Sequence, residues 1–488
     1  MNASNSSPES TAVDDDIVGR MLRGELTEQQ AREFAQRDAE CIAFTLLAVQ
    51  GRLAQSQASG PNTPSSAIPP YEKPTPKKNK SPKKNKSPKR QRGGQKGHPG
   101  SHRKTPEPDR QREHQCEQCP HCSGKLKRTG DTRSRITEDI PEDLKPVVTE
   151  EILHSDWCPS CKKRVEPKIP DVLPRCTLGN RTLVLTALLH FLQGLTLSQV
   201  VDTFNFHLRM RLTPGGLMQM WHRLSDILFT WYEEIHEQIL DSGRLHADET
   251  GWRVSGKTHW LWCFGNDTSV FYMIDRSRGS PAIKKFFTRA FEGVLITDFW
   301  SPYDSVCCAE KQKCWPHLLR DAASVDEKTE DENWKSFSRR LASIYRDAKK
   351  LQGNRETLEE SAYDHSVGLL EARIHKLACE SWEHADANRL SKRLSKYGSE
   401  LLTFLWHENV PSDNNHGERL IRPAVMIRKN SYCNHSNRGA LTQSVLMSVL
   451  RTLRLRGCNP IDELLSALAS YSKTGKLPPV PAGTNSES

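Results

Sequence analysis

Apolar positions along this chain change their spacing several times, and each change marks a boundary. Over 16–55, Ile17, Met21, Leu22, Leu26, Phe34, Ile42, Leu46, Leu47 and Leu53 recur at loosely helical spacing, which predicts a short N-terminal helical segment over 1–55. Thr27 is placed to open a capping box there. The pattern then vanishes over 56–114, where Pro, Ser, Lys and Asn dominate and KKNKSP occurs in tandem at 77–82 and 83–88. Low hydropathy and like-charge repulsion predict a disordered linker. Helical spacing returns over 176–240 in three short runs, with Thr196 and Thr213 as N-caps. Tight turns between them suit a helix-turn-helix-like domain, or equally a plain helical bundle joining two domains.

From 241 the spacing changes to that of strands. RLHADETGWRV, THWLWCFG, SVFYMID and GVLITDF are separated by SGK, NDT and a helical SPAIKKFFTRAF, with a fifth strand expected around KCWPHLL. Three consecutive strands, a helix and a fourth strand give the order of a ribonuclease-H-like mixed β-sheet, in which the first and fourth strands are neighbours. Residues 327–408 are charged and helical, an α-helical insertion. Residues 409–476 return as C-terminal helices of the core, and 477–488 form a polar tail. The fold class expected is multidomain α/β.

Charge and cysteine usage add partners to this outline. Residues 77–104 hold twelve Lys or Arg and no acid, which leaves a net charge of −2 on the rest of a chain of formal charge +10. A local polycation that includes Lys77, Lys78, Lys83, Lys84, Lys89, Arg90 and Arg92 suits an arm contacting DNA phosphates by counterion release. A second basic cluster, Arg419, Arg422, Arg428 and Lys429, follows the insertion. The N-terminus shows no signal-peptide pattern and no run of about 18 apolar residues occurs, so a soluble protein of the cytoplasm is expected, with no membrane partner. In that setting the fourteen cysteines suggest metal ligands or reduced thiols. Within 115–175, Cys119-x-x-Cys122 and Cys158-x-x-Cys161 are two knuckles able to close a tetrahedral structural Zn²⁺ site, a zinc-ribbon-like unit. Cys116 has the same spacing to Cys119, but Pro120 and Pro159 mark the matching pairs.

Three acids far apart in sequence carry the candidate chemistry: Asp248 in HADETGW, Asp298 in LITDFWSPYD and Glu418 in DNNHGERLIRP. Two arrive at strand ends and one on a helix. Hard oxygen ligands delivered in this way suit a pair of divalent cations clamping the attacking and leaving oxygens of phosphoryl transfer. Glu249 should point to the opposite face of its strand from Asp248, and Asp304 falls off the strand end after Pro302. Cys314 and His317 are open to a second metal site, packing or phosphate contact.

GGQKGHPG, CPHC and CPSC, HADETGW, TDFWSPYD and above all DNNHGERLIRPAVMIRKNSYCNHSNRGA resemble the large transposase of insertion sequence 66 family elements, over roughly 90–480. The resemblance implies that Asp248, Asp298 and Glu418 are a D-D-E triad interrupted by the insertion, using two Mg²⁺ (or Mn²⁺) ions to nick and join double-stranded DNA. It implies a bacterial, nucleoid-associated enzyme that forms a homo-oligomer on DNA, with accessory proteins of the element as further partners. Phe299-Trp300 and His416-Gly417 depart from the family pattern, and Gly417 is expected to weaken the helix under Glu418 by roughly 1 kcal/mol relative to Ala. A catalytically inactive DNA-binding or regulatory derivative is the main alternative, and a nuclease without strand transfer a third reading.

Overall fold

The computed structural model describes residues 107–483, apart from 128, 130, 131, 138, 141–143, 170 and 175, together with 27–36 and isolated positions between 17 and 50. The basic arm around 77–92 and the tail beyond 483 lie outside the described residues. Helix α1 (Glu28–Phe34) starts at Thr27, which forms the reciprocal capping box with Gln30. Strands β1 (Asp156–Cys158) and β2 (Lys163–Val165) make a small antiparallel hairpin.

Helices α2 (Asn180–Ala187) and α3 (Leu197–Asp202) each widen into a π-turn, and α4 (Pro214–Leu240) follows. Thr196 and Thr213 cap α3 and α4 through their side chains. Trp221, Leu224, Leu228 and Ile235 of α4 share one continuous core with Leu245, Leu261 and Phe264 of the sheet that comes next.

That sheet begins with an antiparallel meander of β3 (Arg244–Val254), β4 (Lys257–Gly265) and β5 (Val270–Asp275). Ser255 and Gly256, both at positive φ (50° and 73°), make the two-residue turn between β3 and β4. Helix α5 (Ser280–Phe286) carries the chain to β6 (Phe291–Thr297), which pairs in parallel with β3. Strand β7 (Cys308–Lys313) continues in parallel beyond β6, giving the order β5-β4-β3-β6-β7. The expected fifth strand therefore lies just ahead of the predicted place. Trp315-Pro316-His317 instead opens a helix, where proline at the second position removes no intrahelical bond.

Helices α6 (Trp315–Asp326), α7 (Glu332–Gly353), α8 (Glu360–Cys379), α9 (Ala385–Tyr397) and α10 (Thr403–Trp406) build a second core. Trp315, Trp334, Phe337, Leu341 and Leu390 fill it, and Val294 and Ile296 join it to the sheet. The chain then returns as α11 (Asn415–Ser431), α12 (Asn437–Leu455) and α13 (Pro460–Thr474). Helix α11 crosses β3 and β4, and α12 packs between β5 and α4.

Candidate functional site

The parallel pairing of β3 and β6 sets the site. Arg244, Leu245 and His246 stand opposite Val294, Leu295 and Ile296. Asp248 lies two residues further along β3, on the face of His246, and Asp298 directly follows the end of β6 at Thr297. Each carboxylate is oriented by the amide of a nearby residue: Asp248 Oδ1 accepts from Glu249 N at 2.9 Å, and Asp298 Oδ1 from Trp300 N at 2.9 Å. Burial, first, and then the charges of Glu249, Asp298 and Glu418 hold the Asp248 carboxyl well above the usual carboxylate range.

Glu418 comes from the first turn of α11, which is pinned to β3 by Asn414. The buried Asn414 side chain bonds His246 Nδ1 at 2.9 Å through Oδ1 and donates to Ala247 O at 2.9 Å, while its own amide donates to Cys314 Sγ. Gly417 makes this possible, because a Cβ there would sit 2.6 Å from Asn414 Oδ1. The glycine expected to weaken the helix is thus what lets the pin fit. Gly417→Ala should destabilise the protein by about 1–3 kcal/mol, the cost of unsatisfying buried polar groups, despite the better helix propensity. Urea unfolding measures this, and a stabilised variant would show that Asn414 yields without loss.

Residues of α6 line the other side. Arg320 donates to Glu418 Oε1 at 3.1 Å and contacts His317 Nε2 at 3.2 Å, and His317 Nε2 lies 3.8 Å from Glu418 Oε1. Burial is the largest influence on His317 and lowers its pKa, against the raising effect of Asp298. Among the described residues no three His, Cys, Asp or Glu side chains are grouped as metal ligands. The three acids share a neighbourhood, with the third turned to Arg320.

Glu249 faces away from this cluster and is fully buried. Its Oε1 accepts from Arg278 at 3.0 Å and its Oε2 from Tyr303 Oη at 2.6 Å. Burial pushes its carboxyl up to about 7, with Asp298 adding and Arg278 opposing. Asp304 is held by Lys396 and Tyr397, each at 2.7 Å, away from the acids. Cys314 is buried and accepts the Asn414 amide, a packing role. Asn414, Arg320 and Arg278 were not singled out from sequence, although Arg320 lies one helical turn after His317 and Asn414 within the DNN motif.

A family model described as "Transposase IS66 family" matches residues 175–442, a span that contains all three acids and the whole sheet. The chain belongs to the IS66 transposase family. Two relatives, both from Sinorhizobium fredii, are themselves described only as uncharacterized proteins. The protein y4qI is 25% identical over 49% of this chain and 50% of its own length, and y4jD is 23% identical over 73% and 75%. The alignment with y4qI therefore spans about half of that relative.

Ahead of the matched span, this IS66 family chain carries two turns of one design. Gln118 bridges Lys125 around the first cysteine pair, as Trp157 pairs with Arg164 around the second, each 39 residues on. The residue after the second cysteine is left-handed in both, Ser123 at φ 57° and Lys162 at φ 50°. Turn amides, His121 first for Cys119 and Cys161 first for Cys158, hold the leading thiol of each pair below its ordinary pKa. Of the second basic cluster, Arg419, Arg422 and Lys429 are exposed, whereas Arg428 turns inward and donates to Thr250 Oγ1 and Gly251 O. Among the described residues no helix is long and apolar enough to cross a membrane.

Proposed function

We propose that this chain is a D-D-E transposase of an insertion sequence, cutting and joining DNA through Asp248, Asp298 and Glu418 on a ribonuclease-H-like core. The observation that carries the reading is the parallel pairing of β3 and β6, with Asp248 on β3 just past the paired residues, Asp298 just past the end of β6, and Asp298 and Glu418 both near enough to raise Asp248. Like charges gathered at partly buried positions repel one another unless cations share them. The donor set, hard oxygens alone, fits Mg²⁺ or Mn²⁺, and Arg320 marks where positive charge is already accepted at Glu418. Two such ions would activate the attacking oxygen and stabilise the leaving one.

In the first step water attacks a phosphorus at the element's end, the P–O3′ bond breaks, and a 3′-hydroxyl is freed. In the second that hydroxyl attacks a target phosphorus, forming the new phosphodiester and releasing a target 3′-hydroxyl. Glu249 N and Trp300 N would keep Asp248 and Asp298 oriented through both steps. The test is purified protein with Mg²⁺ and a labelled element-end duplex, beside Asp298→Asn. Nicking plus joined product is expected from wild type and neither from the variant. Nicking alone would indicate a nuclease, DNA binding without either reaction a regulatory derivative, and cleavage unchanged in the variant would remove Asp298 from the chemistry.

The two matching knuckles support a structural Zn²⁺ held by Cys119, Cys122, Cys158 and Cys161, with thiolates favoured by the turn amides. Folded protein that lacks stoichiometric zinc by metal analysis would overturn it. The reading includes the basic arm and the exposed cations as contacts to double-stranded DNA, and a homo-oligomer assembled on it.

A further inference from the structure

Helix α11 has two faces. Leu420, Ile421, Ala424 and Ile427 are buried against the sheet, while Arg419, Arg422, Met426 and Lys429 recur at helical spacing on the exposed side. After Glu418 the next acidic residue in the chain is Asp462, so beyond Glu418 itself neither α11 nor α12 supplies a carboxylate to offset these cations.

The stripe ends in a turn that holds a ring in solvent. Tyr432 is 88% exposed, and it and Cys433 are both left-handed, at φ 54° and 71°. Two successive non-glycine residues rarely adopt this conformation unless their surroundings impose it. Here the β3–β4 hairpin does so. Arg253 O accepts from Asn434 N, Trp252 Nε1 donates to Asn434 Oδ1 at 2.7 Å, and Ser255 donates to Asn434 O and His435 O. A ring presented by a fixed turn loses little freedom on binding.

We infer that the exposed face of α11 is a track for duplex DNA leading away from the acids, and that the Tyr432 ring stacks on a base at its far end. This rests on the transposase reading above and adds to it a place and a contact. Fourteen residues separate Glu418 from Tyr432, about 20 Å of helix at ~1.5 Å per residue. That length matches about six base-pair steps of ~3.4 Å. Arg422 and Lys429 would neutralise phosphates without reading sequence. Aromatic stacking tolerates any base but needs one splayed from the duplex, the condition of DNA opened near a cut. A second copy of this chain would also cover an exposed tyrosine, but the same uncompensated cations on both copies would repel.

The test is equilibrium binding of the full chain, in magnesium-free buffer, to a fully paired duplex and to one with a few unpaired bases at its end. Tyr432 lies outside the core, so its variants keep the fold. Tyr432→Ala should weaken binding to the unpaired-end DNA about 5- to 100-fold, with Tyr432→Phe close to wild type and the salt slope unchanged. Arg422→Ala and Lys429→Ala should each lower the salt slope by about one on either DNA. Wild-type affinity in Tyr432→Ala overturns the ring contact, and unchanged slopes in both cation variants overturn the track. If Tyr432→Ala instead changes the oligomeric state by light scattering and leaves DNA binding intact, the face belongs to a second copy. Wild-type protein that binds neither DNA removes the transposase reading itself, a failure distinct from these.

Discussion

Replacing Asp248 by asparagine is expected to abolish DNA cleavage while making the metal-free protein more stable. Asparagine keeps the oxygen that accepts from Glu249 N, so the local geometry survives and only the charge is lost. If Asp248 holds a catalytic cation, activity should fall by more than ~100-fold, the upper range for removing even an outer-shell partner of a metal. Stability should move the other way. In the unfolded chain an aspartate titrates near 3.9, whereas in the folded protein burial and the neighbouring carboxylates hold Asp248 well above that. Between the two values the folded state binds more protons than the unfolded state, so wild-type stability falls as pH rises through that window. The asparagine variant has no such term. Its advantage should be absent near pH 4 and grow above it by up to ~1.4 kcal/mol per pH unit of the window. Denaturant unfolding at a series of pH values without divalent metal measures this. A variant no more stable than wild type at neutral pH would show that the cluster stores no electrostatic strain.

Part of this site is legible in the sequence because short-range rules determine it. Strand, strand, strand, helix, strand, with a right-handed return, places β6 against β3, and from that pairing Asp248 and Asp298 follow as neighbours. The alternation of side chains likewise sends Glu249 to the other face, where it is found. The twin knuckles are local turns, and their spacing and prolines announce them. What the sequence hides is whatever depends on residues meeting from distant segments. Gly417 looks like a helix defect until Asn414 is seen lying where its Cβ would be. Arg428 looks like one more surface cation until α11 is laid across β3 and turns it toward Thr250. Likewise α4 has the amphipathic pattern of a free-standing bundle helix, and only packing shows its tryptophans in the sheet's core. Arg278 and Tyr303, 29 and 54 residues from Glu249, carry no mark that pairs them with it.

Arg278→Ala should be the most damaging single truncation on that hidden face. The Arg278 guanidinium lies between the rings of Trp260 and Trp300, 4.4 Å and 3.8 Å from their centroids, and pairs with a carboxylate that has no solvent access. Removing one partner of a buried pair costs about 3–5 kcal/mol, because the other is left charged and desolvated. Glu249, already pushed up to about 7, can escape part of that cost by holding its proton. The loss should therefore be smaller at pH 5 than at pH 8, the sign required when a folded-state acid has its pKa raised. Adding Glu249→Gln should recover much of the stability, a coupling of about 0.5–3 kcal/mol in a double-mutant cycle. The functional consequence runs through Trp300, whose ring packs against the Arg278 guanidinium and whose amide holds Asp298 Oδ1. Loosening Arg278 frees that amide, so cleavage should fall even under conditions where the variant remains folded, and Arg278→Lys, which keeps the charge but not the planar stack, should lie between. A coupling near zero would mean that Tyr303 alone satisfies Glu249, and the orientation of Asp298 would then owe nothing to the opposite face of the sheet.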